Sequence, residues 1–122
     1  MIGIDLIKTS RMEKFIEKFQ DKALKKFLST SEIDLVKNHT TAAGFWAVKE
    51  AASKALGVGI GAECAFHDIL ISKTPKGAPV VTFSQHILDN YNIADISASI
   101  THDGDYAVAV VAIEKLASTN KI

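Results

Sequence analysis

The sequence predicts an α+β fold, and three observations carry that prediction. An apolar run at Met1–Leu6 is followed by segments of helical periodicity, and these by paired strand-like runs with turn residues between them. The stretch Phe45–Gly61, FWAVKEAASKALGVGIG, is rich in Ala, Leu, Lys and Glu and ends in glycines, as a helix with a left-handed C-cap does. The segment 11–28 sets Met12, Phe15, Ile16, Phe19, Ala23 and Phe27 at steps of three and four, the buried stripe of an amphipathic helix. With 122 residues and no linker, repeat or low-complexity tract, the chain is expected to form one domain over 1–122.

The elements follow in order. Met1–Leu6 reads as a strand, and Asp5 near its end is either a turn residue or a site residue held by a strand end. The helix over 11–28 gathers charge: Leu6–Leu28 holds seven Lys or Arg against Glu13, Glu17 and Asp21, or +4 (7 − 3), and the remainder is −4 (7 − 11). Such a cluster is a solvated helix face or a docking surface for an acidic partner. Ser29 and Glu32 have the spacing of a capping box, which predicts a short helix from Thr30 to about Asn38. His39–Ala43 reads as a polar break before the long helix. In that helix Phe45, Val48, Ala52 and Ala55 form the apolar stripe, with Trp46, Glu50 and Lys54 on a neighbouring line. As an exposed i, i+4 pair, Glu50 and Lys54 would contribute only about 0.2–0.5 kcal/mol. Phe66–Lys73 and Pro79–Ser84 read as strands joined by TPKGA, and Ser84 caps a short helix over Gln85–Tyr91. Ile96–Thr101 and Tyr106–Ile113 make a hairpin closed at Asp103-Gly104, and residues after Glu114 read as a frayed polar tail.

Composition excludes several classes. A hydrophobic fraction of 48% is ordinary for a soluble globular protein, while zero net charge argues against a general nucleic-acid binder. No apolar run approaches the roughly 18 residues of a membrane span, and MIGIDL lacks the basic and apolar regions of a secretory signal. A cytoplasmic location with no membrane partner is the expectation. The single cysteine, Cys64, excludes an internal disulfide framework and thiolate-rich zinc motifs.

The carboxylates worth weighing are Asp5, Glu50, Asp68, Asp103 and Asp105, and no zinc-type His spacing or P-loop accompanies them. What remains is two carboxylates on separate elements, a lysine one turn from one of them, and a hairpin histidine. Mg²⁺ is commonly held by one or two carboxylates with waters and substrate phosphates, so this inventory suits phosphate-ester chemistry.

Four pieces taken together resemble the holo-[acyl-carrier-protein] synthase family of 4′-phosphopantetheinyl transferases. They are GIDL at Gly3–Leu6 with Arg11 following, FLSTSE at Phe27–Glu32, WAVKEAASKALGVG at Trp46–Gly59, and SITHDGDYAVA at Ser99–Ala109. The resemblance implies that family's fold, a mainly antiparallel sheet packed against a long helix, assembled as a homotrimer with sites between subunits. It implies transfer of the phosphopantetheine arm of coenzyme A to a serine of an acidic apo acyl carrier protein, a step of fatty acid biosynthesis, with release of adenosine 3′,5′-bisphosphate. It further implies Mg²⁺ held by Asp5 and Glu50; beside that metal Lys54 would add a second positive charge on the same phosphates, and Glu50, directly or through a metal-bound water, is the candidate acceptor of the serine proton. Gly57 and Gly59 would let the backbone approach coenzyme A, and His102 would contact its nucleotide end. Arg11, Lys14 and Lys18 would meet the carrier protein. Two departures stand out: Phe45 occupies the place of a phosphate-binding arginine, and Val58 that of a threonine. A non-catalytic module binding carrier protein or coenzyme A is the alternative, though such a module has no need of the carboxylate pair.

Overall fold

The computed structural model describes residues 1–117. Its elements are β1 (Ile2–Lys8), α1 (Thr9–Phe19), α2 (Asp21–Lys25), α3 (Thr30–Ile33), α4 (His39–Leu56), a 3-10 turn at Phe66–Asp68, β2 (Ile69–Lys73), β3 (Pro79–Phe83), α5 (Gln85–Asn90), β4 (Ile93–Asp103) and β5 (Tyr106–Lys115). A three-stranded antiparallel sheet has the order β1-β5-β4, and β2 and β3 form a separate antiparallel pair.

The long helix α4 is the axis of the core. Phe45, Val48, Ala52 and Ala55 are buried as the periodicity predicts, and Ala42, Ala43, Ala47 and Ala51 are buried as well. Small side chains on several faces let strands close on the helix from more than one direction. At Gly3 the approach is closest: a Cβ there would stand 1.9 Å from the Ala51 carbonyl oxygen and 2.6 Å from the Ala55 nitrogen. Only glycine lets β1 lie against α4 at that point. On β5, Ala107, Ala109, Val111 and Ile113 alternate into the core.

Several boundaries differ from the sequence reading, each for a local reason. The first helix is broken at Gln20, whose backbone (φ 48°, ψ −124°) cannot continue a helix, so α1 and α2 are separate elements. The polar segment His39–Ala43 is helical. Asn38 caps it through its side-chain oxygen, which accepts from the Thr41 N–H at 3.0 Å, so α4 starts six residues before Phe45. The Ser29–Glu32 capping box is present, with Glu32 accepting from the Ser29 N–H at 2.8 Å, but α3 ends at Ile33 rather than near Asn38. Phe66–Asp68 is a 3-10 turn, so β2 begins at Ile69. The β4–β5 loop is Gly104-Asp105, because Asp103 pairs with Tyr106, and Gly104 alone in it takes a positive φ of 57°. Beyond Glu114 the strand continues to Lys115, and the Leu116 N–H donates to the Asn92 carbonyl at 2.7 Å. The rest of the expected tail, 118–122, lies outside the described residues.

Candidate active site

Strand alternation turns Gly3, Asp5 and Ile7 of β1 to the side that packs on α4. Asp5 thereby meets the last turns of that helix. Lys54 Nζ donates to Asp5 Oδ1 at 2.8 Å and to the Ile4 carbonyl at 3.3 Å. Glu50 lies one turn earlier on α4 and is half-buried. Burial foremost, and then the charge of Asp5, hold its carboxyl above the usual glutamate range, with Lys54 partly offsetting both. The hydrogen bond to Asp5 pushes the Lys54 ammonium up in turn. Two carboxylates and one ammonium from two elements 45 residues apart in sequence thus form one electrostatic unit.

The helix ends directly beyond this unit. Gly57 (φ 85°) is the left-handed C-cap, its N–H donating to the Lys54 carbonyl at 2.9 Å, and Gly59 (φ 68°) donates to the Ser53 carbonyl at 3.2 Å. A Cβ at either glycine would meet nothing within 4 Å, so the positive φ and not crowding demands glycine.

His102 stands at the other end of α4. Its Nε2 donates to the Thr40 carbonyl at 3.1 Å, which fixes the proton on Nε2 and leaves Nδ1 as the ring's acceptor nitrogen. Thr40 is ten residues before Glu50, or about 15 Å along the helix. Between β4, α4 and the β2–β3 turn lies a cleft of about 360 Å³ bordered by Lys37, Phe45, Lys73, Gly77, Pro79 and His102. Lys73 Nζ sits 5.6 Å over the Phe45 ring and reaches the Gly77 carbonyl only at 3.4 Å. Two lysines therefore stand in the cleft that Phe45 borders.

Arg11, Lys14 and Lys18 are exposed on α1, and none of them forms a salt bridge among the described residues. Arg11 also borders a small apolar recess with Ile7, Met12, Phe15 and Trp46.

The sequence reading missed a buried ion pair. Lys49 Nζ donates to Glu32 Oε1 at 2.8 Å and to the Phe66 carbonyl at 3.0 Å, and Glu32 also accepts from the Ile71 N–H at 2.7 Å. Both residues are essentially inaccessible, at 0% and 1% exposure. Burial lowers the Lys49 pKa, and the bond to Glu32 works against that shift. One signal was available: Lys49 falls at helical spacing with Phe45, Ala52 and Leu56, on the apolar side of α4.

Among the described residues no group of three or more His, Cys, Asp or Glu side chains gathers. The Asp5–Glu50 pair supplies hard oxygen donors, with the Glu50 pKa raised by burial first and by the charge of Asp5 second, a donor set that fits Mg²⁺ completed by water and phosphate oxygens.

Comparison with known proteins accords with this geometry. The family model described as the 4′-phosphopantetheinyl transferase superfamily matches residues 1–111. The chain is 63% identical over 122 residues to the holo-[acyl-carrier-protein] synthase of Sulfurimonas denitrificans, covering 100% of both chains. Among solved structures, the Helicobacter pylori holo-[acyl-carrier-protein] synthase in complex with coenzyme A superposes with a TM-score of 0.91 at 51% identity, covering 93% of this chain and 100% of that one. A Bacillus anthracis synthase in complex with CoA (3′,5′-ADP) gives a TM-score of 0.78 at 34% identity, covering 94% and 96%. A matched model that spans nearly the whole sequence, with such identity and so close a fold, makes this chain a member of the 4′-phosphopantetheinyl transferase superfamily.

Proposed function

We propose that the protein transfers the 4′-phosphopantetheine arm of coenzyme A to a serine hydroxyl of an apo acyl carrier protein, releasing adenosine 3′,5′-bisphosphate. The observation that carries the reading is the 63% identity, over the full length of both chains, to a holo-[acyl-carrier-protein] synthase. We further assign it to fatty acid biosynthesis in the cytoplasm, with an acidic carrier protein as partner. Among the described residues no helix is long and apolar enough to cross a membrane.

Asp5 and Glu50 would hold Mg²⁺, which when bound neutralises charge on the diphosphate and on the phosphate that leaves. Lys54 directs a further positive charge at the same phosphates. Glu50, directly or through an intervening water, accepts the proton of the attacking serine. The glycines at 57 and 59 keep side chains away from the cofactor's path. His102, exposed on β4, meets the nucleotide end of coenzyme A in the cleft that also holds Lys37 and Lys73. Those lysines supply charge where Phe45 replaces an arginine. Arg11, Lys14 and Lys18 dock the carrier, so association weakens as salt rises.

Apo carrier protein incubated with coenzyme A, Mg²⁺ and the enzyme should gain the mass of one phosphopantetheine. No mass gain with any acidic carrier of the same genome would refute the reading. Asp5→Asn and Glu50→Gln should each abolish the gain while remaining folded by circular dichroism.

A further inference from the structure

Lys54 does not point freely into solvent towards a substrate. Its ammonium is 2.8 Å from Asp5 Oδ1 and 3.3 Å from the Ile4 carbonyl, so it occupies one of the two oxygens that Asp5 can offer. The Asp5 side chain is only 14% exposed, whereas that of Lys54 is 49% exposed. The carboxylate is thus fixed by its strand, and the partner able to leave is the lysine. Four methylenes separate its charge from the helix, and the turn that follows carries glycines at 57 and 59 around which a Cβ would meet nothing.

A divalent cation of the Mg²⁺ class binds a carboxylate oxygen at about 2.0–2.1 Å and repels an ammonium on the same carboxylate. Both cations cannot hold Asp5 at full strength. We propose that Lys54 and the divalent cation compete for the Asp5 carboxylate. Lys54 thereby sets the cation concentration at which the site loads, and once displaced it turns to the diphosphate of the substrate. The inference rests on the assignment of Asp5 and Glu50 as the metal-holding pair. It gives Lys54 two successive partners, a carboxylate and then a phosphate, and couples its availability for catalysis to metal loading. An empty site keeps its carboxylate charge partly neutralised, and a loaded site acquires a mobile ammonium beside the phosphates.

The test reads binding, without carrier protein or turnover. Free Mn²⁺ is counted by electron paramagnetic resonance in titrations of wild type, Lys54→Met and Asp5→Asn. Lys54→Met should bind Mn²⁺ about tenfold more tightly than wild type, the scale of one charge-assisted contact no longer to be displaced. In a reductively ¹³C-methylated sample, the Lys54 signal, assigned by its loss in Lys54→Met, should shift on saturation with Mg²⁺ and return on chelation. Equal or weaker Mn²⁺ binding by Lys54→Met, or a Lys54 signal unmoved at saturation, would overturn the competition alone. Wild type that binds no Mn²⁺, or Asp5→Asn that binds like wild type, would overturn the metal-pair assignment and this inference together. The mass-gain assay stands apart from both results.

Discussion

Glu50 shows how a candidate site residue can cost stability. Its carboxyl is held above the usual glutamate range by burial and by Asp5, so the folded protein binds its proton more tightly than the unfolded chain does. Between the unfolded pKa, near the ordinary 4.5, and the higher folded one, stability must fall as pH rises, and the cost is complete above the folded pKa. Glu50→Gln keeps the shape and removes the charge. In chelator at pH 7 it should be more stable than wild type to urea, and the advantage should vanish as pH drops below the ordinary glutamate range. Equal stability at both pH values would show that the ionised Glu50 is not strained in the fold. Such a charge is tolerable in a residue with the role proposed for Glu50, to hold a cation or a proton. By periodicity Glu50 is a helix residue with a lysine four positions on, and nothing local reveals the neighbouring strand. Only the recurrence of GIDL ahead of VKEAASK connected Asp5 to it, because their meeting depends on Gly3 admitting β1 to the helix backbone.

At the level of elements, the helix interiors were legible and their junctions were not. The stripes of α1 and α4 follow from apolar spacing, which reports directly on burial. The break at Gln20 carries no Gly or Pro to announce it; tertiary packing of α1 and α2 holds a glutamine at φ 48° against its own preference. Gln20→Gly should therefore stabilise the protein, by about 1 kcal/mol in urea denaturation, since glycine enters that region without a Cβ penalty. A loss of stability would show that the side chain matters more than the strain. The start of α4 was missed because His-Thr-Thr reads as polar loop, although Asn38 is a good cap once the helix is docked. The Glu32–Lys49 pair ties α3, α4, the 3-10 turn and β2 into one node. Lys49→Met would strand a buried carboxylate and should cost about 3–5 kcal/mol, whereas the double variant Glu32→Gln with Lys49→Met should recover much of that loss. Thermal unfolding of wild type, both single variants and the double variant distinguishes an uncompensated charge from lost packing, because lost packing would be additive.

The whole molecule poses a further question, because the β1–β5 part of the sheet is apolar on both faces and only one is covered, while β4 turns Ser97, Ser99 and Thr101 to the outer side. On β1, Ile2, Ile4 and Leu6 are 73%, 59% and 57% exposed, and their register partners on β5 are Ala112, Val110 and Val108. A strand apolar on both faces is the pattern of one buried on both sides, yet β1 is an edge strand with α4 on one side alone. The homotrimer that the family resemblance implies would supply a cover, with three copies burying these outer faces against each other. The positions follow the arithmetic of burial: each exposed Ile or Leu contributes about 1.5–3 kcal/mol when covered, and a threefold assembly counts each one three times. A lysine at such a position loses that term in every copy and adds a charge to a surface that would be buried. Ile4→Lys should thus reduce the mass measured by light scattering from three times 13.2 kDa towards 13.2 kDa. The same variant should retain its far-ultraviolet circular dichroism, because Ile4 faces away from α4. If the site lies between subunits, carrier modification should fall with the mass and recover with it at high protein concentration. A wild-type mass of 13.2 kDa, or a trimer unaffected by Ile4→Lys, would remove the outer sheet face from the assembly.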